Sequence, residues 1–130
     1  MLKTYLAVMV GGAAGTGARM WLSSALTLKY GENFPIGTIA VNVVGCLIIG
    51  CFNALTEPHG AFPATPLLRL VVMVGFLGGF TTFSAFSIES LLLLQRGHLL
   101  LALGHGVAHV AGALACAALG FRLAQLLLLR

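Results

Sequence analysis

The chain has 130 residues, of which 59% are hydrophobic and 8% are charged, and its formal net charge is +4. A soluble domain typically carries about 25% charged residues, so this chain has too little polar surface to cover a water-exposed globule. We therefore predict an all-α integral membrane protein that forms a single transmembrane domain over residues 1–130. Without a basic run or interleaved aromatic and basic residues, its positive charge does not indicate nucleic-acid binding.

Four apolar segments are each long enough to cross a bilayer, which takes roughly 20 residues. The first runs beyond the length of a signal-peptide core and is therefore predicted to stay as a helix. The three cysteines fall inside these segments without metal-ligand spacing, so we interpret them as small packing residues. The predicted spans cover residues 4–28, 35–55, 67–94 and 98–128.

The first span contains a glycine pair and one charged residue within the apolar run, Arg19. Gly11 and Gly15 have the GxxxG spacing that lets two helices approach closely, and we favour packing within the chain over a dedicated dimer contact. Arg19 has two equal interpretations. It is an interfacial anchor in the same headgroup layer as Trp21, or a fixed positive charge at the mouth of an anion path.

The second span begins after Pro35 and carries two polar residues on one helical face, Thr38 and Asn42. The Asn42 side chain has two N–H donors and one acceptor and would be costly to leave facing lipid. It is either a hydrogen bond between helices, worth about 1 kcal/mol, or a donor aimed at a permeating anion.

The third apolar segment is interrupted at Gly75–Ser87, where glycines and hydroxyl residues replace helix formers. Gly78 and Gly79 each cost about 1 kcal/mol in a helix interior. The hydroxyls that follow them, Thr81, Thr82 and Ser84, can bond the backbone in non-helical ways. Irregular backbone at membrane depth survives only where it is buried in protein or lines a watery cavity, so we predict a broken helix at a functional site.

Past the break, Phe83 and Phe86 are three residues apart on one helical face. Glu89 follows, and we expect it to reach the membrane interface and approach Arg96. The fourth span has His105 and His109 on one side; because no acid or cysteine completes a metal site, we interpret this pair as polar lining of a pore or as hydrogen-bonded packing.

The basic residues divide almost evenly between the two ends of a four-span bundle. One end collects Lys3, Arg69, Arg122 and Arg130, and the other collects Arg19, Lys29 and Arg96. Orientation in a membrane depends on an excess of Lys and Arg on one side. The chain is therefore predicted to insert both ways round, which permits an antiparallel homodimer.

The polar residues of the spans offer many hydrogen-bond donors and lack a nucleophilic or paired-carboxylate arrangement, so an enzyme is not predicted. The positive edges of Phe83 and Phe86 suit a small anion without binding it too tightly to leave. Alternatively, a cation could bind the carbonyl oxygens that the helix break frees.

Three motifs become recognisable together: GGAAGTGAR at 11–19, GTIAVNVVG at 37–45 and GGFTTFSAFS at 78–87. In this order they closely resemble the Fluc/CrcB family of fluoride channels. The resemblance implies an antiparallel dual-topology homodimer in the cell inner membrane, with four transmembrane helices per chain, two fluoride pores and a structural Na⁺ at its centre. Transport would be passive export of F⁻ from the cytoplasm, relieving fluoride toxicity.

The resemblance also implies roles for individual residues. Carbonyl oxygens of Gly78 and Thr81 would hold Na⁺, and Arg19 would lie near the vestibule. The family often has Thr where this chain has Ala85, and it usually has Tyr on the fourth helix near His105 and His109; these histidines would make conduction depend on pH. The fluoride pore would be lined by Asn42, Phe83, Phe86, Thr38, Ser84, Thr82, His105 and His109.

Two other functions compete with a channel. A small four-helix multidrug/proton antiporter is also a dual-topology dimer, but it needs a carboxylate embedded in an early span, and this chain has Glu32 and Glu57 in loops and Glu89 late in the third span. A non-transporting assembly subunit would use its polar residues only to hold helices together.

Overall fold

The structure is a computed structural model that describes residues 1–58 and 60–128, with Leu128 described by its backbone alone. Within those ranges it contains only helices, which confirms the prediction of an all-α fold. The long helices are α1 (Leu2–Tyr30), α2 (Ile36–Thr56), α4 (Phe83–Gln95) and α5 (Leu99–Leu128). Between α2 and α4, α3 covers residues 66–80 and is α-helical at Pro66–Arg69, π-helical at Leu70–Leu77 and α-helical again at Gly78–Phe80.

The helices begin and end where the sequence changes its backbone preference. Gly31 and Gly97 have positive φ angles of 83° and 77° and reverse the chain after α1 and α4. Thr65 caps α3, because its hydroxyl oxygen accepts a hydrogen bond from the Leu68 N–H at 3.2 Å. These residues set the short connections that fold the chain into an antiparallel bundle.

Three helical segments are long and apolar enough to cross a membrane: Ile36–Thr56, Pro66–Gln95 and Leu99–Leu127. The 29 residues of α1 are also long enough, at 1.5 Å per residue. Its glycines, its hydroxyl residues and Arg19 lower its apolar content, and α1 is not among the three. The structure thus has four long helical units, and crossing of the membrane by α1 stays a prediction.

Helix α1 packs closely against the π-helical part of α3. A Cβ atom added at Gly15 would overlap the Phe76 carbonyl group, and one at Gly11 would lie 2.7 Å from the Val71 carbonyl oxygen. On the other side, a Cβ atom at Gly75 would lie 2.7 Å from the Val8 carbonyl oxygen. The Gly11–Gly15 pair therefore serves packing within the chain, as favoured from its spacing.

Helices α2 and α5 meet in the same way. A Cβ atom at Gly50 would overlap the Ala117 carbonyl group, and one at Gly120 would overlap the Leu47 carbonyl oxygen. Backbones therefore approach closely between α1 and α3 and between α2 and α5. Polar residues of the spans lie on facing sides of α2, α4 and α5.

The π-helical segment was not predicted from the sequence. It occupies Leu70–Leu77, close to the break in the third apolar segment. One α-helical turn, Gly78–Phe80, lies between this segment and the break. Because π-helical turns are rare and often adjoin functional sites, the segment marks this region as a candidate site.

Candidate functional site

The third apolar segment is broken at Thr81 and Thr82, which lie between α3 and α4. Both residues are extended, with φ and ψ of −83° and 158° at Thr81 and of −152° and 118° at Thr82. The Thr82 N–H donates to Asn42 Oδ1 at 2.7 Å, and Asn42 Nδ2 donates to the Thr82 carbonyl oxygen at 2.9 Å. One amide side chain therefore replaces both hydrogen bonds that Thr82 would have made in a continuous helix.

The Asn42 amide was predicted either to join helices or to face an anion, and its contacts favour the first function without excluding the second. It is only 8% exposed, and both of its polar atoms are bonded to Thr82. Its second Nδ2 hydrogen remains available, because a primary amide has two donors.

The hydroxyl groups next to the break mainly bond their own segment. Thr82 caps α4, because its Oγ1 accepts from the Ala85 N–H at 3.2 Å, and it lies 3.1 Å from the Ser84 hydroxyl. Ser87 donates to the Phe83 carbonyl oxygen at 2.9 Å. Ser84 and Ser87 are both exposed, so both can meet a ligand or a second protein surface.

The rings of Phe83, Phe86, His105 and His109 contact one another in a continuous aromatic cluster, and a fifth ring, Phe34, meets His105 edge-on at 5.9 Å. The ring centroids of Phe83 and Phe86 are 5.2 Å apart, and those of Phe86 and His109 are 4.5 Å apart. The two histidine rings lie 4.4 Å apart at a steep angle. The structure thus brings together the phenylalanines and histidines that were singled out from α4 and α5.

A cavity of about 350 Å³ lies beside the break. It is mostly apolar, with polar atoms supplied at one side by Asn42 and the threonines and at another by His109. Its lining comprises Asn42, Cys46, Thr81, Thr82, Phe83, Phe86, His109, Val110, Ala113 and Leu114. Aromatic edges and a few donors around a small space suit a small anion, because they bind it without a fixed opposite charge.

Glu89 does not take the position expected of it. The Thr38 hydroxyl donates to Glu89 Oε1 at 2.6 Å, and His105 Nε2 lies 3.5 Å from Glu89 Oε2. No ion pair joins Glu89 to Arg96 in the described part of the chain. The expectation of an interfacial carboxylate near Arg96 was therefore wrong: seven residues separate the two, which is two helical turns and too far for a direct pair.

Thr38 was predicted as a pore hydroxyl, and its hydroxyl is bonded to this carboxylate instead of facing open space. Glu89 and Ser90 are the polar residues of the site that the sequence reasoning missed. The available signal was the number of polar groups in apolar helices, because Glu89, His105 and His109 each require partners that only another helix could supply.

Glu89 borders two further cavities. One, of about 270 Å³, is lined by Arg19, Thr38, Thr82 and Glu89 among others. The second, of about 310 Å³, is lined by Glu32, Arg96 and Glu89 among others. Glu89 therefore lines both a cavity shared with the loop residue Glu32 and a cavity that reaches Thr82 at the break.

Arg19 lies at the smaller of these two cavities. Its guanidinium donates to the Thr81 carbonyl oxygen at 3.4 Å, and its side chain lines the smaller cavity with Thr38 and Glu89. Trp21, its suggested neighbour in the headgroup layer, is 74% exposed. Of the two interpretations of Arg19, this geometry favours a positive charge near an anion path.

The carbonyl oxygens predicted to hold Na⁺ fit that ion in part. The Thr82 N–H would bond the Gly78 carbonyl oxygen in a continuous helix but donates to Asn42, so the break frees this oxygen. The Thr81 carbonyl oxygen has one long contact with Arg19 and keeps a second lone pair. Both are hard oxygen donors in an unwound segment, the type that binds Na⁺ in broken helices.

Comparison with known proteins gives the family. The family model described as "CrcB-like protein, Camphor Resistance (CrcB)" matches residues 6–121. A protein of Sphingopyxis alaskensis named "Fluoride-specific ion channel FluC" is 46% identical over 90% of this chain and 92% of its own length. A protein of Bradyrhizobium diazoefficiens named "Fluoride-specific ion channel FluC 2" is 40% identical over 96% and 91%. One from Methylobacterium radiotolerans with the FluC name is 44% identical over 90% and 81%. The chain belongs to the CrcB family.

Proposed function

We propose that this protein is a fluoride-specific ion channel, a multi-pass protein of the cell inner membrane, and not an enzyme. The relatives that match nearly its whole length bear that name. The observation that carries the proposal is the cavity at the helix break, where Asn42, Phe83 and Phe86 surround a space of about 350 Å³.

In this function the cavity replaces part of the hydration shell of F⁻. The free Nδ2 hydrogen of Asn42 and the ring edges of Phe83 and Phe86 each give a weak attraction. Weak and successive contacts let the ion enter and leave, which conduction requires. The fixed charge of Arg19 raises the local concentration of anions at one end of the path.

Transport is passive in this proposal. An inside-negative potential drives an anion outward by about 2.3 kcal/mol per charge for each 100 mV. F⁻ would leave the cytoplasm down its electrochemical gradient without ATP hydrolysis, which relieves fluoride toxicity.

A second copy of the chain is part of the proposal. The Phe83 ring is 76% exposed and has Phe86 as its aromatic neighbour, although it lines the candidate path. An antiparallel homodimer would cover it, and the even division of basic residues supports insertion in both orientations. Reporter fusions at both termini test this, and a single orientation would contradict it.

Na⁺ at the centre of such a dimer is a further proposal. Carbonyl oxygens of Gly78 and Thr81 from two copies would together supply four hard donors, which one chain alone does not. The bound ion would hold the two breaks together. Replacing Na⁺ by a large organic cation during purification is expected to shift the protein toward monomer in size-exclusion chromatography, and an unchanged profile would remove the ion from the assembly.

Fluoride efflux from liposomes, followed with a fluoride electrode, tests the function itself. A channel releases F⁻ from liposomes that contain purified protein at rates far above those of protein-free liposomes. A proton-coupled drug antiporter would instead move an organic cation against a pH gradient, and an assembly subunit would move neither. Absence of fluoride flux would overturn the proposal.

A further inference from the structure

The hydrogen bonds around His105 fix the position of its proton. Ser90 has one hydroxyl hydrogen, and it donates this hydrogen to the Phe86 carbonyl oxygen at 2.8 Å. Ser90 Oγ also lies 3.0 Å from His105 Nδ1, and with its own hydrogen engaged it acts there as the acceptor. Neutral His105 therefore carries its hydrogen on Nδ1, which leaves Nε2 as a bare acceptor.

This bare nitrogen faces a carboxylate. His105 Nε2 lies 3.5 Å from Glu89 Oε2, while Glu89 Oε1 accepts the Thr38 hydroxyl. Both facing atoms are buried and have no hydrogen-bond partner among the described residues, and the His105 side chain is wholly buried. Two acceptors that face each other in a region of low dielectric repel, and one proton between them turns the contact into a hydrogen bond.

We propose that Glu89 and His105 together bind one proton, and that this proton sets whether fluoride passes between the two cavities that Glu89 lines. This inference rests on the proposed function and adds its regulation. With the proton present, the pair is neutral overall and Glu89 is held against α5. Without it, the pair carries a full negative charge beside both cavities and repels F⁻.

Other charged and titratable groups face the pair from the surrounding elements. Arg19 of α1 and Arg96 after α4 add positive charge in the two adjoining cavities, and Glu32 in the loop before α2 adds a negative one. The ring of His109 in α5 meets the His105 ring edge-on, and its Nδ1 hydrogen is donated to the His105 carbonyl oxygen at 3.0 Å. None of them is bonded to Glu89 or to the His105 ring nitrogens in the described residues, so the shared proton remains a property of this pair.

The direction of the pH effect follows from the charges. A rise in pH removes the proton, makes the junction negative and lowers fluoride flux. We expect wild-type efflux to fall at least about tenfold from acidic to alkaline pH, because one unit charge a few ångströms from the ion repels it strongly at a buried site. Protein-free liposomes measured at each pH give the correction for HF that crosses the lipid.

Two variants should respond in opposite ways. Glu89→Gln keeps an acceptor for Thr38 and places a permanent N–H donor against His105, so its flux is expected to stay high across the pH range. His105→Gln leaves the carboxylate without a proton-binding partner, so its flux is expected to stay low. Glu57→Gln is the matched control, because Glu57 lines neither of the two cavities; it should retain the wild-type decline.

A second measurement does not depend on conduction. In ¹⁵N-histidine NMR spectra of the purified protein in lipid, the His105 Nε2 signal should move from bare to protonated as pH falls, and Glu89→Gln should abolish or displace that change. An equal decline of flux in wild type and Glu89→Gln, or an identical His105 titration in both, would overturn the inference. Absence of flux from wild type at every pH would overturn the proposed function instead, while the NMR titration would still decide the inference.

Discussion

The contact between α1 and α3 differs in kind from the contact between α2, α4 and α5. In the first, Gly11, Gly15 and Gly75 let two backbones approach until a single added methyl group would clash. In the second, polar side chains cross between the helices, and three of their buried atoms have no hydrogen-bond partner among residues 1–58 and 60–128: Glu89 Oε2, His105 Nε2 and His109 Nε2. The first contact is made by backbones that pack against each other within the chain. The second leaves acceptor atoms that can still bind a proton. Substitutions in the two regions should therefore fail in different ways.

The largest effect is expected from Gly15→Val. The added side chain would overlap the Phe76 carbonyl group and force α1 away from α3, so the loss of stability should exceed about 4 kcal/mol and little folded protein should be recovered. Size-exclusion chromatography in detergent measures this. Gly17→Val is the matched control, because a Cβ atom at Gly17 meets nothing within 4 Å. Equal yields of the two variants would show that the close approach is unimportant.

A smaller loss of stability, with loss of function, is expected from Asn42→Ala. It leaves the buried N–H and carbonyl of Thr82 without partners, at a cost of about 2–4 kcal/mol, and removes a donor from the cavity. Thermal unfolding and liposome efflux measure both consequences. Asn53→Ala is the control, since Asn53 bonds Arg69 and Glu57 at the end of α2, and it should lower stability without abolishing flux. Full flux in Asn42→Ala would remove the amide from the fluoride path.

For the aromatic cluster, we expect a change in conduction without a change in stability. Phe83→Ile and Phe86→Ile keep apolar volume but remove the positive ring edge, so fluoride flux should fall at least about tenfold while the melting temperature of Phe83→Ile stays near that of wild type. Phe62→Ile, at an exposed ring outside the cavity, is the control. Unchanged flux in both cavity variants would exclude the rings from the mechanism.

The smallest effect is expected from Thr38→Val. It removes the hydrogen bond to Glu89 Oε1 and should cost about 1 kcal/mol, with a change of flux of a few-fold. Thr38→Ser retains the hydroxyl and should behave like wild type. If both variants lost flux equally, the methyl group of Thr38 and not its hydroxyl would be the important part.

The interruption of the third apolar segment could be predicted because its cause is local. Gly78, Gly79, Thr81 and Thr82 are all poor helix formers; the two glycines still belong to the last turn of α3, and the break lies at the two threonines. A hydrogen bond from Asn42 to another helix was one of the two predicted alternatives, because a buried amide must find partners.

The features that were not predicted, such as the partner of Glu89, depend on contacts between residues far apart in the chain. Glu89 bonds Thr38, 51 residues away, and local spacing suggested only Arg96 as a partner. The π-helical segment at Leu70–Leu77 has no residue pattern that distinguishes a π-helix from an α-helix, and α1 packs closely against it at Gly75. Helical periodicity identifies a face of a helix but does not identify which helix that face will meet.

The two hydrogen bonds between the Asn42 side chain and the Thr82 backbone limit which positions can be mutated to alter the channel. The side chain that keeps the backbone open is also part of the cavity wall, so variation at position 42 alters ion preference only at the expense of folding. Phe83 presents the opposite case, since 76% of its side chain is exposed in the single chain. A library built at position 83 can explore many ring shapes without disturbing the packing within one chain, and pairing with a second copy would then select among them.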